Sequence, residues 1–323
     1  MEANLKRFAK QVWRKTGAYK LFASRANAFV LSFHRVKPPD GSLLDARLGA
    51  ISPSALEQTL KLVMDLGFKF VSGDDFREIG DRNSKIVCLT FDDGLRDIAD
   101  FALPVLSSLR IPATLFFITS TAHRQDLLWQ HRIYAAIDRL SIEACLRCLL
   151  SLAPQLSLPA DKSAIAGSLI NTFSRQELQD VSHVLAKTAG ISKAEERDIS
   201  RKLYLTEDEV AYVERSGMAL GGHGFEHWPA SKLSETELNV DYQSCYRDLT
   251  GLSARKHFDF CVPFGDVAND CAGVAIRSGF SSVYVSEKFD SPVSGQSFPR
   301  YWANENLDDL AFILSRAFTK PVA

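Results

Sequence analysis

Neither sign of charge is in excess in this chain of 323 residues: 38 Lys and Arg stand against 39 Asp and Glu, for a net charge of −1. That removes the electrostatic basis for nucleic acid as a partner. No run of about 18 apolar residues occurs, so no membrane-spanning helix is expected. Residues 1–30 lack both an apolar core segment and a small-residue cleavage site, so no secretory signal is expected there and the protein reads as cytoplasmic. The six cysteines, at positions 88, 145, 148, 245, 261 and 271, follow no disulfide framework. The lone C-x-x-C at Cys145 and Cys148 lies in a helix-like segment with no second pair at zinc-ribbon spacing. Free, buried thiols suit a reducing compartment. Repeats and low-complexity tracts are also missing.

What is there is ordinary core material, 46% hydrophobic and 24% charged residues, enough to fold without a staple. At the N-terminus, Leu5, Phe8, Val12 and Trp13 fall at helical spacing, with Lys6, Arg7, Lys10, Arg14 and Lys15 on the remaining face. Residues 1–27 therefore read as a basic amphipathic helix. It either packs on the domain or lies on an anionic membrane surface, giving peripheral contact with the inner membrane face.

From residue 28 the chain alternates. A buried strand over 28–36 ends near His34, and a helix opens at Ser52-Pro53 and stops at Gly67. A strand over 85–90, a helix bearing Ile98, Ala102 and Leu106, and a strand over 112–119 follow. Such alternation predicts a parallel sheet or barrel. The pattern breaks at about 124–210, which is helix-like throughout. It resumes with a strand at 218–222, a helix near 234–250, a strand at 257–262, a helix near 267–278, a strand at 281–285 and a closing helix. One α/β domain over 28–323, interrupted by a helical insertion, accounts for this.

Two clusters carry chemistry. Asp92 and Asp93 stand just beyond a hydrophobic strand, before Gly94. Adjacent carboxylates repel, and a divalent cation on one of them would relieve the repulsion and leave the other ionised as a base. An Asp pair capping the next helix is the alternative. His223 and His227 have i, i+4 spacing after a short apolar strand, so two imidazoles can meet one metal. Two histidines and a carboxylate make a usual catalytic zinc set with one position open.

The run Leu89-Thr90-Phe91-Asp92-Asp93-Gly94 resembles the first motif of the NodB-homology polysaccharide deacetylases (carbohydrate esterase family 4). His223 to His227 has the spacing of that family's second motif, and Phe260-Cys261-Val262-Pro263-Phe264-Gly265 resembles its third. The resemblance covers roughly 28–122 and 206–315. It implies a deformed parallel (β/α) barrel, with Asp92 as general base and Asp93, His223 and His227 as ligands of a divalent metal: zinc first, with cobalt or nickel as substitutes. It further implies Pro263 and the Phe264 backbone N–H at the oxyanion.

The chain departs from the pattern at three places. Gly224 stands where the family has Ser or Thr. The third motif lacks its Arg, for which Arg300 is the candidate replacement. The C-terminal Leu-x-His is absent, since no histidine follows His257, and His34 is the candidate acid or substrate contact. Trp129 and His131, near the start of the insertion, could stack on a sugar, although core packing is the preferred reading of the tryptophan. The expected function is a metal-dependent deacetylase of an N-acetylated sugar in glycan or lipopolysaccharide assembly, lipid-linked where the basic N-terminal helix meets the membrane. A non-catalytic glycan- or partner-binding domain and a hydrolase of a non-sugar amide are the alternatives.

Overall fold

The computed structural model describes residues 28–79, 84–123, 126–286 and 297–303. The expected N-terminal and closing helices lie outside the described residues. Strand β1 (Phe29–Phe33) is followed by helices α1 (Leu43–Arg47) and α2 (Pro53–Asp65), β2 (Lys69–Val71), α3 (Gly73–Ile79) and β3 (Ile86–Asp93). Helix α4 (Leu103–Leu109) leads to β4 (Ala113–Phe117). Five helices come next: α5 (Trp129–Arg139), α6 (Ile142–Leu152), α7 (Lys162–Thr172), α8 (Arg175–Thr188) and α9 (Lys193–Leu203). The barrel resumes with α10 (Glu207–Arg215), β5 (Met218–Gly222), α11 (Glu235–Leu252), β6 (Phe260–Cys261), α12 (Cys271–Arg277), β7 (Val283–Ser286) and β8 (Ser297–Trp302).

All strand pairings are parallel. The order β1-β8-β7-β6-β5-β4-β3 closes on itself through β1–β3, giving a ring of seven strands. The eighth strand, β2, pairs with the lower half of β3 (Lys69 with Ile86), while β4 pairs with its upper half (Thr90 with Thr114). This wedge, together with a β6 of only two residues, deforms the barrel. Such a fold places functional side chains at the carboxyl ends of the strands.

Two layers of apolar packing hold the ring. Val30, Cys88, Phe116, Cys261 and Tyr284 fill the lumen. Leu31, Leu89, Leu115 and Leu220 face outward onto the helices. Alternate residues of one strand thus serve both layers, which is why these strands read as unbroken hydrophobic runs. The insertion helices start where polar side chains take up orphan N–H groups: Ser141, Asp161, Ser174 and Ser192 each accept from a backbone N–H of their helix.

Periodicity missed β2, α3 and β8. Three residues are too few to show alternation, and Pro299 with Arg300 makes β8 read as a loop. The expected strand over 257–262 is shorter, at Phe260–Cys261.

Candidate metal centre and active site

Asp92 and Asp93 are the last residues of β3, His34 follows β1, His223 follows β5, and Pro263 and Phe264 follow β6. All therefore gather at one end of the barrel. Backbone strain marks the same place: Asp93, His227 and Phe264 have φ of 72°, 58° and 57°. Non-glycine residues rarely occupy this left-handed region, and each such residue costs about 1–3 kcal/mol. Gly94, at φ 75°, has no room for a side chain, since a Cβ would lie 2.8 Å from Phe117 Cβ.

The two aspartates meet different surroundings. Arg300, arriving on β8, holds Asp92 with two parallel bonds, Nη1 to Oδ1 at 2.6 Å and Nη2 to Oδ2 at 2.8 Å. Burial works against ionisation of Asp92, but Arg300, then His223 and His34, outweigh it and hold the carboxyl down at about 2. Asp93 has no such partner. Both of its oxygens are buried without a hydrogen bond. Burial first, then the Asp92 charge, push it up to about 8.

The histidines complete the centre. His223 Nδ1 lies 2.8 Å from the Cys261 carbonyl, and His227 Nδ1 lies 2.6 Å from Gln130 Oε1. Both acceptors are oxygens, so each imidazole carries its proton on Nδ1 and turns a bare Nε2 inward. The two Nε2 atoms are 3.1 Å apart, and each is within 3.7 Å of Asp93 Oδ1. Two bare imidazole nitrogens and a carboxylate oxygen, whose raised pKa shows how much it needs a positive charge, thus converge on one point. Burial lowers His223 to about 4 and His227 well below its ordinary value, so neither supplies positive charge. This donor set fits a divalent cation. A second grouping, Asp92, His223 and Cys261, is less suited. Arg300 already occupies Asp92, and burial pushes the Cys261 thiol far up.

The loop between the two histidines is fixed by Asp241 of α11, whose carboxylate accepts from the N–H groups of Phe225 (2.9 Å) and Glu226 (3.1 Å). Gly224 has φ 77°, and a Cβ there would sit 3.0 Å from Asp241 Oδ1 and 3.3 Å from Pro263 Cγ. An acid on the helix below does the work of a hydroxyl in the loop. Sequence reasoning missed Asp241, although it falls on the buried stripe of α11 with Leu238, Tyr242, Cys245 and Leu249. An acid on an apolar face was the signal.

His34 Nε2 is 3.5 Å from Asp92 Oδ2, and its Nδ1 is buried without a partner. Its ring meets Trp302 edge-on at 5.5 Å. Burial lowers the His34 pKa, against the pull of Asp92 and with the push of Arg300. Two strands from β8 in the ring, after β6, the Phe264 ring lies 4.6 Å from that of His227. Trp302 is 48% and Phe264 39% exposed, so two open aromatic rings flank the centre.

Trp129 and His131 are not open to a sugar. Both are buried. Trp129 stacks on Trp228 at 4.4 Å, and His131 Nδ1 lies 2.8 Å from the Tyr204 hydroxyl. Core packing thus holds for Trp129, and the sugar-stacking expectation is corrected for His131: α5 lies against the loop that carries His223 and His227, so its first turn faces protein. That turn supplies Gln130, which no sequence pattern marked.

Residues 79–144 match the family model described as polysaccharide deacetylase. No curated protein matches the chain. Among solved structures, a Streptococcus pyogenes deacetylase, PplD, in complex with acetate is 15% identical (92% of this chain, 100% of that one, TM-score 0.57). IcaB from Ammonifex degensii is 16% identical (91% and 98%, TM-score 0.57). A de-N-acetylase from Aggregatibacter actinomycetemcomitans is 15% identical (86% and 95%, TM-score 0.53). At such identities the likeness to these structures is one of fold. The matched segment carries Asp92 and Asp93, so this chain is similar to polysaccharide deacetylases over that stretch, and it shares its barrel fold with the solved deacetylases.

Proposed function

We propose that the protein is a metal-dependent deacetylase that hydrolyses the acetamide of an N-acetylated sugar. The observation that carries this is the division of labour in the aspartate pair: one carboxylate is neutralised by Arg300, the other stands bare among two inward-facing imidazole nitrogens. Asp93, His223 and His227 would hold the cation, zinc by the donor set, with cobalt or nickel as substitutes. Such an ion supplies Lewis acidity toward a carbonyl and acidifies a water.

The chain's own residues do the rest. Asp92, kept ionised by Arg300, accepts the proton of the attacking water at Oδ2. His34 Nε2, 3.5 Å from that oxygen, passes the proton on to the departing sugar nitrogen, and its lowered pKa favours release. The Phe264 N–H, held by the turn at Pro263, donates to the developing oxyanion. Trp302 and Phe264 offer apolar faces to a pyranose ring. The pairing of Arg300 with Asp92 favours catalysis over a purely binding role, because it restores the compensation that the third motif lacks.

The substrate we favour is a glycan or lipopolysaccharide intermediate, in lipid-linked form if residues 1–27 meet the inner membrane face from the cytoplasm. Among the described residues no helix is long and apolar enough to cross a membrane. The test is acetate release from N-acetylated glycan precursors by zinc-loaded protein, with Asp92→Asn as control. Release that Asp92→Asn abolishes supports the reading. No release with zinc, cobalt or nickel overturns it, and turnover confined to non-sugar amides moves the enzyme to a different substrate class.

A further inference from the structure

The first turn of α5 and the residue after α9 are joined to the metal centre by one chain of hydrogen bonds. His227 Nδ1 meets Gln130 Oε1 at 2.6 Å, Gln130 Nε2 meets His131 Nε2 at 3.2 Å, and His131 Nδ1 meets the Tyr204 hydroxyl oxygen at 2.8 Å. The Leu128 N–H donates to that same oxygen at 3.0 Å. All three side chains beyond His227 are buried, so water does not offer them substitute partners.

Roles along the chain follow from the centre outward. A His227 that turns its Nε2 lone pair inward carries its proton on Nδ1 and donates it. Gln130 must then present Oε1 and point its NH2 group at His131. His131 accepts at Nε2, so its own proton sits on Nδ1, facing Tyr204. Each group has one arrangement, set by its neighbour. A second arrangement exists when nothing positive holds the centre. His227 Nε2 could then carry the proton toward His223 Nε2, 3.1 Å away, and Gln130 and His131 would reverse. A cation, which needs the bare nitrogen, selects the first arrangement.

The far end of the insertion is tied to the other ligand. Leu95 and Tyr204 form an antiparallel bridge. The Leu205 N–H donates to the Gly94 carbonyl at 3.3 Å, and the Arg96 N–H to the Leu203 carbonyl at 2.8 Å. The turn that starts at Asp93 is therefore pinned by the same segment that carries Tyr204.

We propose that the Gln130–His131–Tyr204 chain is the positioning device of the metal centre, and that metal binding and the ordering of the insertion are coupled through it. This rests on the reading of Asp93, His223 and His227 as metal ligands. Coupling is reciprocal: an insertion that orients His227 raises affinity for the ion, and the ion tightens the insertion by the same factor. Partners that orient a ligating histidine contribute about 10–100-fold to metal affinity.

The test measures zinc dissociation constants by chelator competition on the full chain, and amide exchange over residues 126–139 with and without zinc. Gln130→Met removes the acceptor and is expected to weaken zinc binding by the folded protein by about 10–100-fold; it also leaves His227 and His131 nitrogens unpaired in the core, so the melting temperature of the metal-free protein falls as well. Gln130→Glu keeps an acceptor for His227 Nδ1 and is expected to stay close to the parent. His131→Phe, which frees the amide to rotate, falls between. Zinc is expected to slow exchange over 126–139 in the parent and not in Gln130→Met. Parent-like zinc affinity in folded Gln130→Met, or exchange over 126–139 that zinc leaves unchanged in the parent, overturns the coupling. Parent protein that binds zinc no better than His227→Ala overturns instead the metal reading beneath it.

Discussion

Replacing Arg300 with Gln removes the one full charge bonded to Asp92. The Asp92 carboxylate is wholly buried and takes both of its strongest bonds from Arg300, at 2.6 and 2.8 Å. Breaking a buried pair by removing one partner costs about 3–5 kcal/mol. The carboxyl escapes that cost by binding a proton, and at 1.36 kcal/mol per pKa unit this lifts its pKa by about 2–4 units. From a starting value of about 2, Asp92 in the variant would titrate at about 4–6. A base works as the carboxylate, so activity is lost as pH falls through this pKa, and the acid limb of kcat/KM moves up by the same interval. The stability profile changes sign as well. In the parent the depressed pKa contributes stability that is full above the ordinary value of 3.8 and fades as pH falls toward about 2. In the variant the raised pKa favours the protonated fold, so stability declines as pH rises through about 4–6. Initial rates of acetate release between about pH 4 and 9, with carbon NMR of the Asp92 carboxyl, read both effects. An acid limb that coincides with the parent's in an active Arg300→Gln protein would refute the argument that Arg300 keeps the base ionised.

Asp93→Asn should abolish stoichiometric zinc binding and lower turnover by at least about 100-fold; retention of a zinc equivalent by elemental analysis would contradict the ligand assignment. Gly224→Ser, despite restoring the hydroxyl usual in the family, should destabilise the chain by about 1–3 kcal/mol, because its Cβ meets Asp241 and Pro263 at a positive φ; denaturant melts measure this. Trp302→Ala should raise KM about tenfold with little change in kcat, corresponding to one lost ring contact of about 1.4 kcal/mol. An unchanged KM would remove Trp302 from the substrate cleft.

The barrel was legible because its strands are buried on both sides. Runs such as Ile86–Asp93 and Ala113–Phe117 leave no doubt of a strand, and helices between them force parallel pairing. The candidate triad of Asp93, His223 and His227 could be nominated because its spacing is local: two histidines four residues apart and an aspartate pair at one strand end. The rest depended on contacts distant in sequence. Arg300 could be nominated only as the cation available to pair with Asp92, 208 residues away, and its strand was hidden by Pro299. Gln130 was invisible, since a glutamine in a helix is ordinary until one knows which residue faces it across 97 positions. Trp302 escaped notice because exposure of a strand-end aromatic is fixed by the ring's closure, here against Gly49, whose small size leaves the indole its seat.

The seam between β1 and β8 has a consequence for how the protein is made. Among the described residues, His34 is near the start of the barrel and leaves the ribosome early, and Arg300 is on the last strand. Six of the seven ring strands can be synthesised before Asp92 meets its counter-charge. A nascent chain that buried Asp92 early would have to keep it protonated. Competence therefore arrives late, in one step, when β8 slots between β7 and β1 and carries the guanidinium into the lumen. Until then Asp92 lacks the guanidinium that keeps it ionised, so the base of the proposed reaction is withheld from a partly made chain by its own order of synthesis.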